Sequence, residues 1–153
     1  MEQNKAIELS INLMNKSEAC YLTTINTDGF PKTRAMLNLR NTDKYPDLKD
    51  FFKNLNKNFI IYFTTNQSSD KIKEIKSNPR ISVYYCIPNE WKGLMIGGNI
   101  EIIKDKEIKS SLWQKDWTLY YPNGIDDTDY AVLKLNPLIL KLYYQLDSYT
   151  LNF

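Results

Sequence analysis

Ser68, Ser69 and Lys71 follow closely on the hydroxyls of Thr64 and Thr65, and together they give this chain its most readable chemistry, the binding of an anion. Ser68 or Ser69 is placed to cap a helix whose apolar positions are Ile72 and Ile75, and Pro79 closes it. Free amide groups at a helix start, flanked by hydroxyls and a lysine, suit an oxyanion. An ordinary capped turn with a solvated lysine accounts for the same residues. Arg34 stands mid-strand in Lys32–Leu39, on the face opposite Thr33, Ala35 and Leu37. It reads either as a solvated edge charge or as a phosphate fork. The acidic loop Asp126-Asp127-Thr128-Asp129 could hold a hard cation, but it lacks calcium-loop spacing and reads better as solvated, with no metal expected.

Other chemistries are excluded by composition. Histidine is absent, which removes imidazole bases, His-containing triads and most zinc sites. The two cysteines, Cys20 and Cys86, are far apart, form no CxxC pair and read as buried free thiols. Neither a glycine-rich dinucleotide fingerprint nor a P-loop occurs, so a cofactor must be held by side chains and strand backbone. The formal charge is only +2 and mixed along the chain. That argues against an extended nucleic-acid footprint, although eleven tyrosines, six phenylalanines and three tryptophans supply stacking groups. Met1–Lys5 has no apolar signal core and no apolar run approaches membrane-spanning length, so a soluble, cytoplasmic chain is expected.

The elements that must position these groups follow from periodicity. Gln3–Glu18 predicts a helix with Ile7, Ile11 and Met14 on one face, widened by Leu9 and Leu13. Ala19–Ile25 and Lys32–Leu39 predict a hairpin around Asp28-Gly29. Pro46 starts a short helix carrying Leu48, Phe51, Phe52 and Leu55. Phe59–Phe63 is continuously apolar and predicts a central strand. Arg80–Ile87 and Leu94–Ile103 are further strands, the second interrupted by Gly97-Gly98. That pair marks a barrel corner or the passage of a flat ligand. A helix is predicted over Asp105–Trp117. Tyr130–Leu135 and Leu138–Tyr144 are two closing strands separated by Asn136-Pro137, followed by a loosely attached end. Six or seven mostly alternating strands with peripheral helices predict one α+β domain over residues 1–153, mainly β and built as a small closed or split barrel.

Three segments then resemble a known family: "CYLTTINTDGFPKTRAMLNL" from Cys20, "FTTNQSSDKIKEIKSNP" from Phe63 and "WQKDWTLYYPNGIDDTDYAVLKL" from Trp113. Their order and spacing resemble the FMN-binding split barrels related to pyridoxamine 5'-phosphate oxidase, in particular the general stress protein 26 branch. The resemblance implies FMN held at the interface of a homodimer and a flavin-dependent oxidoreductase, with NAD(P)H or another small molecule as electron donor. It implies that Arg34 contacts phosphate while Ala35, Met36 and Leu37 approach the flavin. It further implies that Phe63 and Thr64 lie beside the flavin, that Ser69 and Lys71 serve the phosphate, and that Trp113 is the aromatic contributed across the dimer. Trp113 also reads as a core residue of its helix. Asp70 stands where the oxidase branch often carries an arginine, and nothing after Tyr144 matches that branch's substrate segment, so vitamin B6 oxidation is not expected. The alternatives are a non-catalytic flavin or stress-related binding protein, and an aromatic barrel for single-stranded nucleic acid.

Overall fold

A computed structural model describes all residues, Met1–Phe153. Seven antiparallel strands form one curled sheet: β1 (Ala19–Ile25), β2 (Pro31–Leu37), β3 (Ile61–Asn66), β4 (Arg80–Ile87), β5 (Lys92–Ile103), β6 (Tyr130–Tyr144) and β7 (Asp147–Asn152). The order is β2-β1-β4-β5-β6-β3, with β7 also on β6. Four α-helices accompany it: α1 (Gln3–Lys16), α2 (Lys49–Lys53), α3 (Asp70–Ser77) and α4 (Lys106–Leu112). The curl brings the two end strands, β2 and β3, into contact without pairing them. The fold is thus a split barrel, and the split lies between β2 and β3.

The interior is filled by alternating residues of the sheet, such as Leu22, Val83, Tyr85, Leu94, Ile96 and Leu133, and closed by α1 and α3. A second cluster under α2 and α4 buries the other face of β3 and β6 through Tyr62, Tyr130 and Val132. Burial on both faces explains the unbroken apolar run of the central strand. That strand is Ile61–Asn66 rather than Phe59–Phe63, because Phe59 adopts a left-handed conformation (φ 50°) and ends the preceding 3-10 turn. Thr64, Thr65 and Asn66 therefore extend the strand beyond its expected end at Phe63, paired with Val132, Ala131 and Tyr130.

Other departures have local causes. The buried stripe of α1 is Ala6, Ser10, Leu13 and Met14, with Ile7 and Ile11 only partly covered. Ser10 is tolerated inside because its hydroxyl donates to Ala6 O at 2.7 Å. β2 stops at Leu37; Asn38 turns inward and donates to Met14 O and Ser17 O, tying the strand end to α1. α4 ends at Leu112, so Trp113 lies beyond the helix as its C-cap. The two closing strands are one, β6, running through Asn136-Pro137. Its register against β5 shifts at Gly97/Gly98, where a Cβ on Gly98 would lie 2.1 Å from Asn136 O. One edge of β6 serves β3 up to Leu135 and β7 from Ile139 onward. Pro137, which has no N–H, sits at that fork. The C-terminal end is not loose: Asp147–Asn152 pairs with β6, and the Phe153 ring stands 5.8 Å from that of Phe59.

Candidate anion and ring-binding site at the split

The loop entering α3 is shaped by the acidic segment. Asp129 accepts from Asn66 Nδ2 (2.5 Å) and Ser68 N (2.8 Å), and its carbonyl accepts from Gln67 N (2.8 Å). These bonds, that from Asn66 foremost, hold the Asp129 carboxyl below its usual range. Asp127 likewise accepts from Asn123 N and Asp129 N. The acidic loop thus works as a clamp for backbone amides. It delivers Ser69 as N-cap of α3, in extended geometry (φ −73°, ψ 150°).

Ser69 does not cap in the usual way. Its side chain makes no bond to the helix, and its Oγ is buried with no hydrogen-bond partner. A buried hydroxyl without a partner costs stability, about 1–3 kcal/mol, unless a ligand satisfies it. Lys71, the second residue of the helix, donates to Thr65 Oγ1 at 2.7 Å. Burial, and then the nearby charge of Arg34, lower its pKa.

Arg34 approaches from β2. Its Nη1 donates to Thr24 Oγ1 (2.6 Å) and Lys32 O (3.0 Å), while Nη2 is 3.6 Å from Glu74 Oε1. It is neither a solvated edge charge nor fully buried, with a quarter of its side chain (24%) exposed. Glu74, with 7% of its side chain exposed, also takes Lys32 Nζ at 3.3 Å and the Thr24 hydroxyl at 2.9 Å. Burial alone would raise the Glu74 carboxyl; the bonds from Thr24 and Lys32 and the charges of Lys32 and Arg34 outweigh it, and the net shift is downward. Lys32 and Arg34 share the Glu74 carboxylate, and Lys71 lies in the field of both Glu74 and the exposed Asp70, so three cations face two carboxylates and the corner keeps a surplus positive charge. Two Lys71 protons and the part of the Arg34 guanidinium not bonded to Thr24 and Lys32 remain for a ligand.

Beside this corner, along the split, runs a cavity of about 230 Å³ lined by Leu37, Thr64, Thr65, Asn66, Trp117, Tyr120 and Tyr121. Thr65 belongs to both, lining the cavity and accepting the Lys71 bond. Burial, then Asp129 and Asp127, push the Tyr121 phenol up to about 12, so the wall is uncharged at neutral pH. The arrangement can hold an oxyanion at one end and a flat apolar group along the other. It holds no activated nucleophile: burial pushes the Cys20 thiol up to about 12 and raises that of Cys86.

The structure therefore brings together Arg34, Leu37, Thr64, Ser69 and Lys71. Ala35 is exposed beside Leu37, whereas the Met36 side chain and the Phe63 ring lie in the barrel core. From those two positions only backbone can face the split. Trp113 lines no part of the cavity in its own chain. Its ring packs edge-on against Trp117 (5.9 Å) and Tyr130 (5.1 Å) and tilted against Tyr121 (6.0 Å), behind the aromatic wall. Sequence reasoning missed Glu74, Thr24, Lys32, Asp129, Trp117 and Tyr121 as parts of the site. All six lie within the three family-like segments, but only Glu74 sits where local spacing could place it at the site, one turn after Lys71 and next to the buried Ile75; Asp129 was visible only as part of an acidic loop.

Comparison with known proteins places the family and the fold. Residues 5–139 match the family described as pyridoxamine 5'-phosphate oxidase like. Among solved structures, a Clostridium acetobutylicum protein related to general stress protein 26 of B. subtilis is 27% identical, covering 99% of this chain and 97% of its own, with TM-score 0.77. A pyridoxamine 5'-phosphate oxidase-related, FMN-binding protein from Nostoc punctiforme shares the fold at 13% identity, 98% and 93% coverage and TM-score 0.60. So does a heme-binding protein from Mycobacterium smegmatis, at 13% identity, covering 99% of this chain and 60% of its own, with TM-score 0.69. No curated protein matches the sequence.

Proposed function

The chain belongs to the pyridoxamine 5'-phosphate oxidase-like family, and on that premise we propose that it binds FMN at the split and serves as a flavin-dependent oxidoreductase. The observation that carries this reading is the buried, unpartnered Ser69 hydroxyl beside Lys71 and Arg34. A phosphate supplies the acceptor that Ser69 lacks and the negative charge that the corner lacks. Leu37, Thr64, Trp117 and Tyr121 then flank the ring. Bound isoalloxazine supplies the redox chemistry itself. The chain's part is to hold phosphate, orient the ring and keep water from its apolar side, which needs no histidine. NAD(P)H is a suitable electron donor.

The reading includes a homodimer. The outer face of the sheet carries adjoining rows of partly exposed residues, Ala35-Tyr21-Tyr84-Met95 and Leu37-Ala19-Cys86, with Tyr143 beyond. An apolar face of this kind suits a second copy of the chain. Leu37 belongs to both this face and the cavity, so the second copy would border each flavin. The deciding experiment is the absorption spectrum of freshly purified protein, with mass analysis of the released ligand. Flavin bands and an FMN mass are expected; a heme band or a colourless protein that does not take up FMN would overturn the reading. Steady NAD(P)H turnover with a defined acceptor separates an enzyme from a flavin holder.

A further inference from the structure

Arg40 is the least explained charge in the molecule. It follows β2, is only 3% exposed, and has no carboxylate within ion-pair distance. Its Nη1 donates to the side-chain amide of Asn56 (2.8 Å), its Nη2 to Ile60 O (2.8 Å), and its guanidinium lies 4.9 Å from the centre of the Phe52 ring. All of these partners are neutral. Its Nε is buried and bonded to nothing. Of five guanidinium N–H donors, three are unused. Burial lowers the Arg40 pKa only to about 10, so the side chain is charged at neutral pH. A buried cation without a counter-charge is costly and normally paired.

The counter-charge is missing from the surroundings as well. Arg40 lines a cavity of about 230 Å³ with Asn15, Thr42, Lys49, Phe52, Lys53 and Asn56. None of these carries negative charge, and neither lysine is paired with a carboxylate. Liquid water occupies about 30 Å³ per molecule, so the volume admits a tetrahedral oxyanion with several waters or a small organic substituent. Three cations, two amides and one hydroxyl match a multiply charged oxyanion better than a carboxylate. The cavity is built by the end of α1, the segment after β2, α2 and the 3-10 turn Asn56–Asn58, and shares no residue with the corner around Lys71.

We propose that this cavity is a second oxyanion site, in which Arg40, Lys49 and Lys53 hold inorganic phosphate or the phosphate group of a small monoester. Arg40 is its fixed floor, held by Asn56 and Ile60; the two exposed lysines on α2 close over the anion. Occupancy supplies the charge that the buried guanidinium lacks, so the ligand stabilises the fold and the α2 segment in particular.

The test is a thermal-melt titration with inorganic phosphate at constant ionic strength, using chloride as the control. Lys71→Ala serves as background to silence the other anion corner. The expected result is a melting temperature that climbs with phosphate but not chloride in Lys71→Ala. Adding Lys49→Gln and Lys53→Gln should weaken the effect at least tenfold in phosphate concentration. Both lysines are exposed, so these substitutions leave the fold intact. Backbone amide NMR shifts at Thr42 and Asn56 should saturate with phosphate in Lys71→Ala. An equal response to chloride, or an undiminished phosphate response without the two lysines, overturns the proposal. Phosphate monoesters that outcompete inorganic phosphate at the same amides would identify the organic form as the ligand.

Discussion

At the scale of single residues, the anion corner is a balance between Lys71, Arg34 and Lys32 on one side and the buried Glu74, with the exposed Asp70, on the other. Glu74 has its folded pKa depressed, so its contribution is present above the unfolded carboxylate value, about 4.3, and is lost as pH falls through the lower folded value. Glu74→Gln should remove that acid limb. It should lower stability at neutral pH by about 1–3 kcal/mol, below the full cost of breaking a buried pair because Lys32 and Arg34 are partly solvated. Urea melts from pH 7 to pH 3 on both chains check this; parallel curves would show that the carboxylate does not titrate with folding. Lys71 shifts in the same direction with the opposite consequence. Its pKa lies below the ordinary 10.5, so the charge that binds phosphate is lost earlier on the alkaline side. FMN affinity should fall as pH rises through that lowered value, while riboflavin, which has no phosphate, changes little. Lys71→Ala should weaken FMN by about 1.5–3 kcal/mol and riboflavin hardly at all. Equal losses for both ligands, by fluorescence titration, would show that Lys71 does not read phosphate.

Among the elements, legibility followed the strength of the local pattern. β1 and β4 were readable to the residue because each alternates cleanly between the interior and the outer face. The loop before α3 was readable through its hydroxyls and Lys71. The partners that shape it were not, because Asp129 and Thr24 come from distant segments and only the folded sheet brings them near. β6 was split in two by Pro137, a residue that normally ends strands; here the missing N–H falls at the fork where β3 leaves and β7 joins. β7 was passed over although Tyr149, Leu151 and Phe153 alternate, since chain ends are commonly frayed. The Gly97-Gly98 pair suits a corner or a ligand passage by sequence alone, and the close approach of Asn136 O to Gly98 at the register shift makes it a corner. A Cβ at Gly98 meets backbone that cannot yield, so Gly98→Ala should cost about 1–3 kcal/mol or more. Gly97→Ala is tight only against the Ile139 side chain, at 3.1 Å, with Met95 Sδ and Ile81 O at ordinary contact distance, and should cost much less. Equal losses in denaturant melts would show that the corner tolerates a side chain.

For the whole molecule, the open question is what covers the outer face of the sheet. A monomeric antiparallel sheet usually turns a polar face to water, yet here Leu37, Tyr21 and Tyr84 on the neighbouring strands β2, β1 and β4, and Tyr143 on β6 beyond β5, are each about two-fifths exposed. Tyr84 lies across Gly93, where any Cβ would fall 1.9 Å from its hydroxyl. The absence of a side chain at Gly93 leaves room for the ring to lie flat across that strand. If a second copy packs there, light scattering should return twice the 18.0 kDa chain mass across working concentrations. Tyr84→Glu places an unpaired charge at the centre of that contact. It should halve the mass while leaving the barrel folded, because the side chain is not part of the core. Flavin affinity separates the two roles of the face. Tyr84 touches neither the cavity nor the anion corner within its own chain, so a monomeric variant that loses FMN would do so through the missing partner. A Tyr84→Glu chain that stays dimeric would place the interface elsewhere. A monomer with undiminished FMN affinity would show that each split binds its ligand alone.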